Sequence, residues 1–263
     1  MRAMLVWSAV LALTLCAGAL AAAPAAAPVA PTAAAPAAGE KLSEEGFAPI
    51  FNGKDLTGWE GNPKLWSAKD GVIRGETTTE NPTKGNTFLI WKAGTVEDFE
   101  IRFSFRMKTG NSGFQYRSKD VGNWVVSGYQ FEVTNGPGSA GFLYHEKGRG
   151  SLCRCGEKVT VDEAGKNQVA GSVNDIEKIK SAFKLADWNE CRIIAQGNHI
   201  QHFINGVQTI DVTDNDEKGR SMSGIVALQI HAGPPMLVEF KDIRVKKLPA
   251  AAGSTETAKP AAK

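Results

Sequence analysis

The sequence predicts an all-β domain, a two-sheet antiparallel sandwich of jelly-roll type with one short helix. Three observations predict it. About a dozen short stretches alternate apolar with polar residues, which is the period of a half-buried strand. Gly, Asn and Asp separate these stretches at turn positions. Helical spacing occurs once, at Ile176, Ile179 and Phe183 within 174–185. Many short strands with tight turns and almost no helix close as a sandwich or jelly roll.

Taken in order, the domain opens with Gly46–Trp59, where Asn52-Gly53 marks a turn and Leu56 and Trp59 are apolar anchors. Leu65–Gly75 reads as strand, Asp-Gly turn, strand, and Asn86–Trp91 as a further strand. Phe99–Met107 alternates most cleanly. Phe99, Ile101, Phe103, Phe105 and Met107 face inward and Glu100, Arg102, Ser104 and Arg106 outward. In Asn111–Ser118, Phe114 and Tyr116 oppose Gln115 and Arg117; in Gly128–Val133, Tyr129, Phe131 and Val133 oppose Gln130 and Glu132. Gly141–Glu146 follows. Residues 156–187 are less regular apart from the helix. Trp188–Ala195 and His199–Ile204 form a hairpin, and Asn205-Gly206 turns into Val207–Val212. The last two strands flank a Gly233-Pro-Pro turn. In the first of them Val226, Leu228 and Ile230 point one way, and Ala227, Gln229 and His231 the other.

The flanks differ in composition. Residues 1–23 read as a secretory signal peptide: Arg2, an apolar run over Met4–Leu15, then small residues up to Ala23. That run is too short for a membrane span. Cys16 raises lipoprotein anchoring as the weaker alternative, because Leu15 stands where a small residue is needed. Residues 24–41 are an Ala/Pro linker, 42–248 the domain, and 249–263 a polar and Ala-rich tail lacking the apolar residues that offset ordering entropy. The expected product is exported, to the periplasm or beyond. A net charge of +2, with no basic stripe, excludes nucleic acid as the evident partner. Without the signal, three cysteines remain. Export permits a disulfide, and Cys191 with Cys153 or Cys155 is the pairing left open.

Three neighbouring strands thus carry polar residues opposite aromatic ones. On one open sheet face Gln115, Arg117, Gln130, Glu132, Gln229 and His231 would converge, with His145 and Glu146 at a fourth strand. A cation, carboxylates, an imidazole and amides are what a polyol needs for recognition. Trp124, Tyr144 and Trp91 could stack on a sugar ring. The plainer reading is an exposed Arg117–Glu132 ion pair worth about 0–1 kcal/mol and a strand-end His231. His199 and His202 read as packed or solvated. There is no nucleophile elbow and no phosphate loop. The acidic run Glu97-Asp-Phe-Glu100 lacks the spacing of a retaining glycosidase strand.

Phe51-Asn-Gly-Lys-Asp-Leu-Thr-Gly-Trp59, Asn111-Ser-Gly-Phe-Gln-Tyr-Arg117, Trp188-Asn-Glu190, Gly197-Asn-His-Ile-Gln-His-Phe-Ile-Asn-Gly-Val207, Leu228-Gln-Ile-His-Ala-Gly-Pro-Pro-Met236 and Val238-Glu-Phe-Lys-Asp-Ile-Arg244 resemble the 3-keto-disaccharide hydrolase domain family over Gly46–Leu248. The resemblance implies a concanavalin A-like jelly roll that cleaves glycosides oxidised to a ketone at sugar position 3. The ketone acidifies the hydrogen at position 2, a base removes it, and the leaving group departs from position 1. This chemistry needs one base, a donor for the enolate and an acid. On this expectation His231 or Glu132 is the base and Arg117 stabilises the enolate. His145 or Glu146 assists departure or holds a divalent metal with His231, while Gln115, Gln130, Gln229, Trp124 and Tyr144 bind the sugar. Arg117→Ala and His231→Ala should then lower turnover and leave the fold intact. A sugar 3-dehydrogenase would supply the ketone. The alternatives are a non-catalytic carbohydrate-binding module and an adhesion domain of laminin-G type.

Overall fold

A computed structural model describes residues 42–250. The expected signal peptide, the Ala/Pro linker up to residue 41 and the tail from 251 onward lie outside the described residues. The strands are β1 (Ala48–Pro49), β2 (Trp59–Glu60), β3 (Trp66–Lys69), β4 (Val72–Glu76), β5 (Thr87–Trp91) and β6 (Phe99–Thr109). Then come β7 (Asn111–Gly122), β8 (Val125–Thr134), β9 (Leu143–Glu146), β10 (Gly150–Cys153), β11 (Glu157–Val161) and β12 (Asn167–Ser172). Helix α1 (Ile176–Ala182) precedes β13 (Asn189–Gln196), β14 (His199–Ile204), β15 (Val207–Asp214), β16 (Ile225–Ile230) and β17 (Leu237–Lys247).

These strands form two sheets. One has ten strands in the order β12-β11-β15-β14-β13-β6-β17-β4-β3, with β1 also paired to β17. The other has seven, β10-β9-β8-β7-β16-β5-β2. Every pairing is antiparallel except β11 with β15. The predicted sandwich and its short helix are therefore present. The helix starts where the Asp175 side chain accepts a hydrogen bond from the Glu177 N–H, a cap that satisfies one free donor.

The alternation of β6 builds the core. Phe99, Ile101, Phe103 and Phe105 are all fully buried. Phe103 stacks on Phe114 of the facing sheet at 4.1 Å between ring centroids and meets Phe131 edge-on at 5.4 Å. Each such aromatic pair contributes about 0.5–1.5 kcal/mol beyond its area. His202 crosses the same interface. Its Nε2 lies 2.8 Å from the Tyr116 hydroxyl and its Nδ1 3.1 Å from the Gly141 carbonyl oxygen. Burial lowers its pKa to about 3, so it is a packed, neutral histidine as the sequence suggested. Trp91, expected as a stacking platform, packs instead against this core.

Three further expectations are corrected. The stretch 156–187, read as irregular, contains β11 and β12. All six residues of β12 are exposed, so no burial pattern marked it as a strand. The cysteines do not pair: Cys153, Cys155 and Cys191 are free thiols. Cys191 is buried on β13, and the Cys155 thiol donates to the Ala140 carbonyl at 3.2 Å.

The third correction concerns the outer face of the seven-stranded sheet, which is not simply open. In sheet order β7 and β16 separate β8 from β5, yet Val126 of β8 packs with Phe88 and Ile90 of β5 and Ala227 of β16. The Phe88 N–H also donates to the Trp124 carbonyl at 2.8 Å. The tip of the β7–β8 hairpin therefore curls back over its own sheet. The bend sits at a register shift between Tyr116 and Lys119, where Arg117 takes a positive φ of 48°. A second, small apolar cluster fills the fold-back.

Candidate functional site

The register sets up the polar layer beside this cluster. Gln115 of β7 lies opposite Gln130 of β8, and Gly113 opposite Glu132. Ala227 of β16 lies on the other side of Gln115, so Gln229, two residues on, flanks Gly113. The three glutamines thus share one face, as alternation required. They are not exposed: Gln115, Gln130 and Gln229 keep 0%, 2% and 1% of their surface. The curled hairpin places them beneath the surface, which corrects their expected role as direct sugar ligands.

Glu132 stands at the margin of this layer with 6% exposure. Its Oε1 accepts from Asn111 Nδ2, and its Oε2 from Gln130 Nε2 at 2.8 Å. Burial raises its pKa above the usual carboxylate range. The two amide donors and nearby His231 oppose that shift, and the charge of Glu146 adds to it. Glu146 reaches the same neighbourhood from β9. It accepts from Asn86 Nδ2 at 3.3 Å and from Gln229 Nε2 at 3.4 Å. Neither carboxylate has an ion-pair partner among the described residues. The Gln229 Oε1 is buried without a hydrogen-bond partner.

His231 is exposed just past the end of β16. Its Nδ1 lies 2.5 Å from the Ala232 carbonyl, so Nδ1 carries a proton and Nε2 is the nitrogen free to exchange one. Asn86 fixes this segment by accepting the Ala232 N–H at 3.0 Å. Tyr144, half-buried, pairs with Gln130 across β8 and β9 and so lies on the same face. Trp124 sits at the hairpin tip with φ 54°, a left-handed conformation that a bulky residue seldom adopts. Its carbonyl is bonded two residues from Asn86.

Two expected members do not join. Arg117 leaves the polar face because its positive φ interrupts the alternation. Its guanidinium is 1% exposed and donates to the carbonyls of Glu97 (2.7 Å) and Gly197 (2.8 Å) and to Asp98 Oδ1 (3.1 Å). It ties β7 to the start of β6 and the β13–β14 turn, so it supports the fold and cannot reach an enolate on the Glu132 face. His145 is the neighbour of Glu146 in sequence, and adjacent strand residues point to opposite faces. Its ring packs on Tyr129 at 5.2 Å and its Nδ1 accepts from Arg149 Nε at 3.1 Å. Burial and the Arg149 cation depress its pKa to about 4. It belongs to a cluster in which Asp214, fully buried, accepts from Tyr129 (2.5 Å) and from both terminal nitrogens of Arg149 (2.9 and 2.6 Å), while Asp216 lies 3.2 Å from the same guanidinium.

The structure adds Asn111, Asn86 and Ser118 to the residues singled out in sequence. Asn111 was legible, because it precedes Gln115 by four positions and so shares its face. Asn86 and Ser118 carried no periodic signal. Among the described residues no three His, Cys, Asp or Glu side chains are grouped to hold a metal ion.

A wide groove of about 780 Å³ lies elsewhere, on the outer face of the ten-stranded sheet. Of its two aromatic residues Phe51 is buried and Trp188 is already covered by Lys241 at 4.4 Å and Arg106 at 4.8 Å, and Arg244 is paired with Glu44. Buried carboxylates without cation partners are the stronger chemical signature, and they place the candidate site on the Glu132 face.

Comparison with known proteins adds a family and a fold. The family model described as the 3-keto-alpha-glucoside-1,2-lyase-like domain matches residues 46–246. A search of curated proteins found no match. Two solved structures from Parabacteroides distasonis, each described as a "putative glycosyl hydrolase", are similar in fold. One is 20% identical, with a TM-score of 0.52, covering 77% of this chain and 99% of its own. The other is 21% identical, with the same TM-score, covering 80% and 99%.

Proposed function

Because the chain belongs to the 3-keto-alpha-glucoside-1,2-lyase-like family, we propose that it cleaves the glycosidic bond of 3-keto sugars by elimination across C1 and C2. The observation that carries this reading is Glu132. It is a nearly buried carboxylate with a raised pKa, held by two amide donors and without a Lys or Arg ion-pair partner among the described residues.

In this reading Glu132 takes the C2 proton, which the C3 ketone has made acidic. The C–H electron pair enters an enolate spanning C2, C3 and the ketone oxygen. Its collapse forms the C1–C2 double bond and expels the aglycone oxygen. His231, protonated on Nε2, supplies the proton to that oxygen. Addition of water across C1–C2 then gives the free 3-keto sugar. Asn111, whose amide carries a second N–H, is the donor best placed for the enolate oxygen now that Arg117 is excluded. Glu146 accepts sugar hydroxyls, and Tyr144 and Trp124 flank the ring. A sugar 3-dehydrogenase acting earlier would make the substrate, and the N-terminal segment would direct export.

The test incubates the protein with 3-keto-trehalose and with trehalose, each with and without a chelator. Cleavage of the keto sugar alone is expected. A chelator-sensitive rate would add a divalent metal near His231. Binding of both sugars without turnover would overturn the reading in favour of a carbohydrate-binding module.

A further inference from the structure

The glutamines that the substrate cannot touch form an ordered chain. Ser118 Oγ donates to Gln115 Oε1 at 2.9 Å, Gln115 Nε2 to Gln130 Oε1 at 2.5 Å, and Gln130 Nε2 to Glu132 Oε2 at 2.8 Å. Each amide has one donor end and one acceptor end, so the polarity of the chain is determined. An ionised Glu132 can only accept, so Gln130 presents its NH2 group to it. Gln130 then offers its oxygen to Gln115, which offers its own oxygen to the Ser118 hydroxyl. All four donor–acceptor pairs, including Asn111 with Glu132, agree with the ionised carboxylate. A protonated Glu132 would relax that constraint.

The space for this chain is reserved by two glycines. A Cβ at Gly113 would stand 2.2 Å from the Gln130 side-chain carbon, and one at Gly128 would stand 2.4 Å from Ser118 Oγ. Either would displace a member of the chain. Water has no access to replace a lost donor, because Ser118, Gln115 and Gln130 keep 1%, 0% and 2% of their surface.

We infer that Ser118, Gln115 and Gln130 are positioning residues: an oriented hydrogen-bond chain that fixes the Glu132 carboxylate in place and holds it in the proton-accepting state. The catalytic consequence rests on the proposed role of Glu132; the electrostatic one does not. A chain of polarised amides strengthens each bond within it, so removing a distant donor weakens the last bond to Glu132. The substrate meets none of these side chains, so KM is untouched while kcat falls.

The experiment follows Glu132 directly, by carbon-13 NMR titration of its carboxyl, in the full chain and in Gln130→Met, Gln115→Met and Ser118→Ala. The Glu132 midpoint should rise in all three, most in Gln130→Met and least in Ser118→Ala. With 3-keto-trehalose as substrate, kcat should fall by about tenfold to a hundredfold in Gln130→Met at unchanged KM, and the acid limb of kcat/KM should move up with the NMR midpoint. Ser118→Ala and Gln115→Met keep the test decisive if Gln130→Met does not fold. An unmoved Glu132 midpoint in folded Gln115→Met and Ser118→Ala would overturn the inference. A midpoint that moves in a protein that cleaves no keto sugar would sustain the chain and refute the proposed reaction instead.

Discussion

Two clusters of buried charge lie close together in this molecule, and they are built on opposite principles. At the end of the sandwich Asp214 is fully buried, but Arg149 pairs with both its oxygens and Tyr129 adds a third bond. On the curled face Glu132 and Glu146 are almost as buried and have amides for partners, with no Lys or Arg paired to either among the described residues. A paired buried charge is inert and holds elements together. An unpaired one stays reactive, because its pKa remains free to rise. On the proposed reading, that difference separates scaffold from chemistry.

The sharpest way to break this comparison is to remove one group from each cluster. Glu132→Gln should lower turnover of the keto sugar by about a hundredfold to ten-thousandfold, the usual range for a proton-transfer group. Its unfolding free energy should change by about 1 kcal/mol, one rearranged hydrogen bond. Arg149→Met should do the reverse, costing about 3–5 kcal/mol of stability by stranding Asp214, with kcat per folded molecule nearly unchanged. Denaturant unfolding and steady-state kinetics on both variants check this. Equal stability losses would dissolve the distinction.

A smaller effect tests whether the pKa of Glu132 is set as the geometry indicates. The base must be ionised, so kcat/KM should rise with pH through the Glu132 pKa, above the usual carboxylate range. The Glu146 charge raises that pKa, so Glu146→Gln should move the acid limb to lower pH. The Asn111 donor lowers it, so Asn111→Ala should move the limb to higher pH. The two shifts have opposite signs, and a pH–rate profile that moves in the same direction for both would remove Glu132 from the role.

Much of the fold was legible because period two is a strong local signal: β6 faces as its sequence alternates, and the Gln115, Gln130 and Gln229 rows do share a face. What was not legible depends on contacts distant in sequence. Arg117 left its row because one residue with positive φ breaks the alternation at a bulge. The glutamines became interior because the hairpin tip folds onto β5. The split between His145 and Glu146, by contrast, was readable, since neighbouring strand residues cannot share a face. β12 escaped detection because a fully exposed edge strand imposes no pattern.

A further pH effect concerns the histidines of the scaffold. His145 and His202 are held neutral by burial, with pKa values of about 4 and about 3 against an ordinary 6.5. Between the folded and unfolded values the unfolded chain binds more protons, so stability rises with pH in that window and falls as the pH drops. The loss should begin below pH 6.5. Both histidines add to this slope, His145 down to about pH 4 and His202 down to about pH 3. Replacing His145 by Gln should flatten the upper part of the melting temperature–pH curve, between pH 6.5 and 4, while the slope from His202 continues lower. The Glu132 face should respond in the opposite sense. Its raised carboxyl pKa makes the folded state bind the extra proton, so that stability contribution is present at low pH and fades as pH climbs through the Glu132 value. A Glu132→Gln variant lacks this opposing term, so its stability should fall more steeply with acid than that of the unaltered chain. If the two melting curves run parallel over that range, Glu132 carries no raised pKa and the contrast between the two clusters is lost.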